Sequence, residues 1–218
     1  PITAPKHSLL KEMSKEFAQI AKKALPAVVS VRTQYTQRSQ SQGQEDQNQP
    51  FPDDFFERFF GFPMPEQRGP RKGQGSGFVV TNDGYILTNN HVVRDAEQIT
   101  VSFTDAREYP AKVIGLDPNT DIALLKIEAT NLPFLVLDNS DDLEIGEWVM
   151  AVGSPLRLQG SVTVGVVSAK GRSELDIAPV EQFIQTDAAI NMGNSGGCLL
   201  DMDCKVVGMN TAIATNNG

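Results

Sequence analysis

From residue 75 onward the sequence is a succession of short apolar runs separated by turn-forming residues, and this spacing restricts the fold more than any other feature. We predict strands at 75–81, 84–88, 98–103, 109–116 and 121–127, and a second set at 134–137, 147–153, 161–170, 182–186, 197–200 and 205–213. Asn82-Asp83-Gly84 supplies one of the turns. Short strands without alternating helices are typical of an all-β fold, and two sets indicate two barrels.

An amphipathic helix precedes these strands. Its apolar residues recur at spacings of three and four, with Lys and Glu between them, and Pro26 ends the pattern: Leu9, Leu10, Met13, Phe17, Ile20, Ala21 and Ala24. A further strand is predicted at 27–33. We therefore divide the chain into an N-terminal segment and helix at 1–26, a first barrel at 27–130 and a second barrel at 131–218.

Three residues from separate parts of the chain have the chemistry of a catalytic triad. Ser195 lies among the glycines of Gly193–Gly197, and His91 and Asp121 precede it in the chain. A serine hydroxyl needs a base, and imidazole is the side chain suited to this at neutral pH. Asp121 directly precedes an apolar run, so we expect it at the mouth of a buried strand, where it can orient the imidazole. The order His, Asp, Ser is that of the chymotrypsin-type proteases.

The glycines around the serine have a separate role. Attack on a carbonyl places negative charge on its oxygen, which two convergent backbone N–H groups can stabilise. Glycine permits the positive φ angles that allow adjacent N–H groups to converge. We assign this oxyanion hole to the backbone of Gly193 and Ser195, with Asn194 between them.

Each motif has a structural alternative. Gly-Asn-Ser-Gly-Gly is also a turn-prone sequence, and a lone histidine or an aspartate beside an apolar run is often only a satisfied polar residue. His7 lies in a polar stretch, where a solvated surface position is the simpler interpretation. The triad is favoured because its three motifs occur once each, in one order, and each beside a predicted strand.

Four segments together resemble the HtrA/Deg family of serine proteases. They are Gly75–Val80, Tyr85–Val93, Asp121–Ile127 and Gln185–Gly197, and the similarity extends from about residue 8 to the last residue. The chain departs from the family pattern at Met192 and Cys198, neither of which belongs to the triad. The resemblance implies two Greek-key six-stranded barrels of the chymotrypsin type with an N-terminal helix. It also implies that the second barrel is truncated here and that PDZ domains are absent from this chain.

The same resemblance implies a biological role. The chain is most similar to the periplasmic members of the family, which are enzymes of protein quality control. The resemblance implies cleavage of unfolded or misfolded polypeptides, assembly into trimers or multiples of trimers, and chaperone activity. The first residue is proline rather than methionine, as expected after removal of a signal peptide, although an engineered sequence would begin in the same way. We therefore expect a periplasmic serine endopeptidase and homo-oligomer, and no cofactor or metal.

A long polar segment at 34–74 is predicted to be a mobile loop because its composition cannot bury enough apolar surface to offset the entropy of ordering. It nevertheless contains aromatic pairs at helical spacing, Phe55 with Phe59 and Phe56 with Phe60. These side chains either fold back onto their own domain or anchor another subunit. The resemblance favours the second alternative and assigns them to oligomerisation.

The substrate groove is expected beside the serine loop. Ile190 would form an apolar, modest pocket, and the strand Thr211-Ala212-Ile213 would pair with an extended peptide. Such a pocket favours small aliphatic side chains such as Val or Ala. Asp187 is the one acidic residue left open as a contributor to the pocket.

Charge and composition exclude several other functions. The net charge is −8, which disfavours nucleic acid or an anionic membrane surface as a partner. No apolar run is long enough to span a membrane. The two cysteines, Cys198 and Cys204, lack the spacing of a zinc site. They could pair in an oxidising compartment, but free, partly buried thiols are favoured because residues six apart around a tight turn do not face each other.

Two other classes of function stay open at this stage. A chaperone or peptide-binding protein could use the same groove without cutting its ligand. A scaffold protein could act mainly through the Phe-rich loop, and deletion of residues 36–72 would then remove its function.

Overall fold

The computed structural model describes residues 8–35, 71–156, 159–172, 182–191 and 193–211. A helix, α1, spans Ser8–Ala24, and a second, short helix, α2, spans Asn90–Val93. The strands are β1 Val28–Tyr35, β2 Arg71–Val79, β3 Tyr85–Asn89, β4 Gln98–Ser102, β5 Glu108–Asp117, β6 Ile122–Ile127, β7 Trp148–Leu156, β8 Gln159–Arg172, β9 Phe183–Thr186, β10 Cys198–Leu200 and β11 Val206–Met209. Short 3-10 turns lie at Leu25–Ala27 and Ser140–Asp142.

The first six strands form a closed barrel in the order β1-β2-β3-β6-β5-β4, in which β4 pairs with β1. Alternate residues of β6 are buried, whereas β1 is buried on both faces over its first four residues. Fully buried side chains such as Val31, Phe78 and Leu125 belong to the core of the barrel. β1 continues to Tyr35, whose register partner Arg71 begins β2. The two ends of the predicted loop at 34–74 therefore belong to strands. Residues 34–35 lie in β1 and residues 71–74 lie in β2, where the β1–β2 ladder satisfies their backbone hydrogen-bonding groups.

The second unit is an antiparallel sheet of five strands among the described residues, in the order β11-β10-β7-β8-β9. The all-β prediction is confirmed, with a closed first barrel and a curled, half-barrel second sheet. The strand predicted at 134–137 is wrong. Only Leu137 pairs, through one parallel bridge to Val206, and Phe134 and Val136 are exposed. The segment has neighbours, since Leu135 donates to the carbonyl oxygen of Val79 and Val136 accepts from Val206, but these hydrogen bonds do not continue as a ladder along its length.

Helix α1 contacts the second unit through its C-terminal half and confirms the predicted helix. Ile20 and Ala24 are buried, and the ring of Phe17 lies 5.5 Å from that of Trp148 at the start of β7. Leu9 and Leu10 at the other end of the helix are exposed. No helix in the described part of the chain has the length and hydropathy needed to cross a lipid bilayer.

Both cysteines are buried and free, which confirms the favoured alternative. Cys198 lies inside β10, and Cys204 lies in the turn that precedes β11. Burial raises the pKa of both thiols because a thiolate is poorly solvated there.

Candidate functional site

Asp121 and His91 form a buried pair at one end of the first barrel. The Nδ1 atom of His91 lies 2.6 Å from Oδ2 of Asp121. Both side chains are almost completely buried, with 3% of each exposed. The second carboxylate oxygen, Oδ1, accepts a hydrogen bond from the backbone N–H of His91 at 2.9 Å. One carboxylate therefore holds both the ring and the backbone of the histidine.

This contact also explains why residues 90–93 are helical. The first N–H groups of a helix have no partner within it. In α2 the N–H of Asn90 donates to the carbonyl oxygen of Asp121 at 3.0 Å, and the N–H of His91 donates to its carboxylate. Asp121 thus caps a helix that lies far from it in sequence. The sequence pattern predicts no helix at 90–93.

Asp121 is fixed in turn by its own surroundings. Its φ is +57°, a conformation that Asp adopts more readily than most residues, and it lies immediately before β6 as predicted. The hydroxyl of Thr211 donates to Oδ2 at 2.9 Å. The side-chain amide of Asn89 donates to the carbonyl oxygen of Asp121 and to the hydroxyl of Thr211, at 3.1 and 3.0 Å. Thr211, predicted to lie in the substrate groove, therefore contacts the Asp121 carboxylate through its side chain.

The loop that carries Ser195 is a tight turn tied to the second sheet. The N–H of Gly197 donates to the carbonyl oxygen of Asn194, and the N–H of Gly196 donates to Asn210, at 2.9 and 2.8 Å. Gly193 and Gly196 have φ values of +87° and +84°. A Cβ atom on Gly196 would lie 2.2 Å from the carbonyl oxygen of Ser76, so only glycine fits there.

Strand β2 of the first barrel brings the serine loop next to the histidine helix. The backbone N–H of Ser76 donates to the carbonyl oxygen of Ser195 at 2.8 Å. Its neighbour Gly75 lies between the two elements: a Cβ atom there would stand 2.8 Å from the side chain of Val92 and 3.2 Å from the carbonyl oxygen of Ser195. The three predicted triad residues therefore lie on elements that meet at the boundary between the barrel and the second sheet.

The segment before the serine loop rests on β8. The hydroxyl of Thr163 donates to the carbonyl oxygen of Ala189 at 2.8 Å, and Oδ1 of Asp187 accepts the N–H of Val166 at 2.7 Å. Ile190 is half-buried and packs against the core of the second sheet. Asp187 thus uses one carboxylate oxygen to hold β8.

Several predicted site residues lie outside the described part of the chain. They are Ala212 and Ile213 of the groove strand and the phenylalanines Phe55, Phe56, Phe59 and Phe60. The peptide bond between Met192 and Gly193 includes an undescribed residue as well. Ser76, Thr88 and Asn89, in contrast, support the site and were not singled out from the sequence. All three lie in segments that resemble the HtrA/Deg family, which was the available signal.

A separate acidic pocket of about 430 Å³ lies on the second unit and contains no triad residue. Asp138, Trp148 and Asp201 are among its lining residues. The ammonium group of Lys205 lies 2.7 Å from Asp138 and lowers the pKa of that carboxyl through this hydrogen bond. Within the described ranges, no group of three or more His, Cys, Asp or Glu side chains is arranged to hold a metal ion.

Comparison with known proteins agrees with this geometry. The family model described as "Trypsin-like peptidase domain" matches residues 75–209. Two proteins named "Probable periplasmic serine endoprotease DegP-like", from Chlamydia muridarum and Chlamydia pneumoniae, are 51% and 49% identical to the chain. The alignments cover 96% and 98% of this chain and 45% and 46% of those proteins. The chain therefore spans a little under half the length of these curated relatives.

Comparison with solved structures agrees with these sequence similarities. The HtrA-type protease AlgW with a tripeptide superposes with a TM-score of 0.74 at 37% identity, over 93% of this chain and 56% of that one. The fold and the site define a trypsin-like peptidase domain. More narrowly, the chain belongs to the HtrA/Deg family of serine proteases.

Proposed function

We propose that this domain is a serine endopeptidase that cleaves unfolded or misfolded polypeptides through Ser195, His91 and Asp121. The observation that carries the proposal is the two-point contact of the Asp121 carboxylate with His91. A carboxylate in this position orients the imidazole, keeps the proton on Nδ1 and stabilises the imidazolium that forms during attack. Nε2 is then left to take the proton of Ser195.

The reaction follows the acyl-enzyme route. His91 removes the proton of Ser195 as its hydroxyl attacks the peptide carbonyl, and the protonated imidazole then donates to the leaving amine. Water attacks the acyl-enzyme by the same path, and the serine is regenerated. The negative charge on the tetrahedral intermediate is held by the N–H groups of Gly193 and Ser195. The positive φ of Gly193 and the tight turn at 194–197 support this assignment.

Substrate selection depends on the residues that line the groove next to Ser195. We assign Ile190 to an apolar pocket that accepts small aliphatic side chains, with the backbone at 211–213 pairing with an extended peptide. The Asp187 carboxylate accepts the N–H of Val166, which directs one of its oxygens toward β8. Cleavage of matched peptides with Val or Arg before the scissile bond tests the assignment of an apolar pocket; preference for Arg contradicts it.

Assembly and location are part of the same proposal. Exposed apolar side chains on α1 and near Trp148 support a homo-oligomer, of which a trimer or a multiple of trimers is the expected form. We assign the Phe-rich segment at 55–60 to this assembly. The relatives are named periplasmic, which supports a periplasmic location for this protein. Sedimentation of the purified protein measures the first point and cell fractionation the second.

The decisive experiment is cleavage of unfolded casein by the wild type and by Ser195→Ala. The variant should lose all measurable cleavage and fluorophosphonate labelling while keeping its circular dichroism spectrum. Ser168→Ala, which changes an exposed serine of β8, is the matched control and should cleave normally. Undiminished cleavage by Ser195→Ala would overturn the assignment.

The same variant separates the chaperone function from the protease. If Ser195→Ala still suppresses aggregation of an unfolded protein, the domain binds polypeptides independently of cleavage. A wild type that is never labelled by the fluorophosphonate but suppresses aggregation would make the domain a peptide-binding chaperone. β2 begins at Arg71 and Tyr35 pairs directly with it, so the deletion is limited to 36–70 and the gap is closed with a two-residue Asn-Gly turn. This variant should keep basal cleavage; loss of all function would favour a scaffold.

A further inference from the structure

Ser76, which the mechanism does not use, makes two hydrogen bonds to the loop that carries Ser195. Its backbone N–H donates to the carbonyl oxygen of Ser195 at 2.8 Å. Its hydroxyl donates to the carbonyl oxygen of Gly193 at 2.6 Å. The two hydrogen bonds hold the carbonyl groups of the residues on either side of Asn194. Ser76 is completely buried and belongs to β2 of the first barrel, whereas the loop belongs to the second unit.

The hydroxyl is also held in place from the second unit. The backbone N–H of Ser154, in β7, donates to Oγ of Ser76 at 2.7 Å. A hydroxyl that accepts from one fixed N–H and donates to one fixed carbonyl has a single favourable orientation. Thr88 fixes the backbone of Ser76, because its hydroxyl donates to the Ser76 carbonyl oxygen at 2.7 Å. This serine is therefore held in one rotamer.

We propose that Ser76 is a positioning residue for the oxyanion hole, a role that rests on the proposed protease function. Its hydrogen bond to the Gly193 carbonyl fixes the peptide plane that follows Gly193. Glycine is the residue most free to rotate at this point, and φ here is +87°. With that plane fixed, the N–H groups of Gly193 and Ser195 are held in a constant relation to each other. Ser76 itself contacts no substrate.

The cross-strand neighbour of Ser76 provides a matched control. Ser30, in β1, is its register partner and is equally buried. Within the described residues, the Ser30 hydroxyl has no hydrogen-bond partner. Ser30→Ala and Ser76→Ala therefore remove the same atom from the same depth of the same sheet, but only the second breaks a contact with the serine loop.

The test is steady-state cleavage of a chromogenic peptide, together with the rate of fluorophosphonate labelling of Ser195. We expect Ser76→Ala to lower kcat by about 10- to 100-fold, since small misplacement of reacting groups has effects of this size. KM should change by less than about threefold, and labelling should slow in parallel. Ser30→Ala should stay within about twofold of the wild type in all three quantities.

Thermal unfolding distinguishes positioning from loss of the fold. Rates are compared at a temperature where both variants are fully folded, so instability alone leaves kcat unchanged. The proposal is overturned if Ser76→Ala keeps the kcat of the wild type, if it changes only KM, or if Ser30→Ala loses as much kcat. The proposed protease function fails separately, if the wild type neither cleaves the peptide nor reacts with the fluorophosphonate.

Discussion

The carboxylate of Asp121 contacts His91 through both of its oxygens, Oδ2 at the ring nitrogen Nδ1 and Oδ1 at the backbone N–H. The second contact settles which oxygen faces the ring. An amide at position 121 would need its oxygen at the backbone N–H, because an NH₂ group cannot accept that hydrogen bond. The NH₂ group would then face Nδ1 and force the proton onto Nε2.

Asp121→Asn should therefore lower kcat by about 10⁴-fold, the loss known for this exchange in a chymotrypsin-type triad. The fold should be preserved, since the amide oxygen still caps α2. Peptide cleavage measures the rate, and circular dichroism checks the fold. A loss smaller than about tenfold would mean that another group orients His91.

Thr211→Val should lower kcat about tenfold. The hydroxyl of Thr211 donates to the same oxygen that accepts from the ring of His91, and a hydrogen bond to a charged group contributes roughly 1.5–3 kcal/mol. Only part of that energy distinguishes the transition state from the ground state, so the effect on rate is modest. Thr211→Ser keeps the donor and should retain most of the activity. Equal losses in both variants would attribute the effect to packing instead of the hydroxyl.

Gly196→Ala should abolish activity and destabilise the domain. The new Cβ atom would meet the carbonyl oxygen of Ser76 at 2.2 Å and the hydroxyl of Thr88 at 2.4 Å, and φ is also positive. Two other glycines separate these causes. Gly171 has a positive φ but an open surrounding, and Gly115 has neither constraint.

Urea unfolding of the three alanine variants therefore separates the cost of the steric clash from the cost of the positive φ. Gly115→Ala should be near neutral, Gly171→Ala should cost about 1 kcal/mol, and Gly196→Ala should cost several kcal/mol or prevent folding. If Gly196→Ala were no more destabilised than Gly171→Ala, the close packing of the serine loop on β2 would be wrong.

Local sequence patterns were sufficient for most strands of the fold. Strand limits such as those of β6 and β10 lie within a residue or two of the predicted ones, because apolar runs and turn residues are local signals. Residues 134–137 show the limit of this reasoning. The run is apolar, but whether it forms a strand depends on a continuous ladder with another strand, and within the run only Leu137 forms a β-bridge.

The supporting residues of the site depended on tertiary structure and could not be predicted in the same way. α2 is too short to show a helical period, and its cap comes from Asp121, 30 residues away. The role of Ser76 depends on contacts with Gly193 and Ser154, which β2 meets only after both units have folded. The order of His91, Asp121 and Ser195 could be recognised because each residue type is chemically specific.

Burial predicts that both cysteines are unreactive in the native protein. Loss of solvent raises the pKa of Cys198 and Cys204, and the thiolate is the form that reacts with alkylating agents. At pH 8, iodoacetamide should label neither thiol in the native state and both after denaturation, as counted by mass spectrometry. Rapid labelling of the folded wild type at pH 8 would show that the β10 and β11 region opens readily in solution.

In the unfolded chain the thiols ionise near pH 8.5, whereas in the folded chain they stay protonated to higher pH. The folded state therefore binds more protons above that pH, so stability should fall as the pH rises further. Replacing both cysteines with Ala should weaken this dependence of stability on alkaline pH.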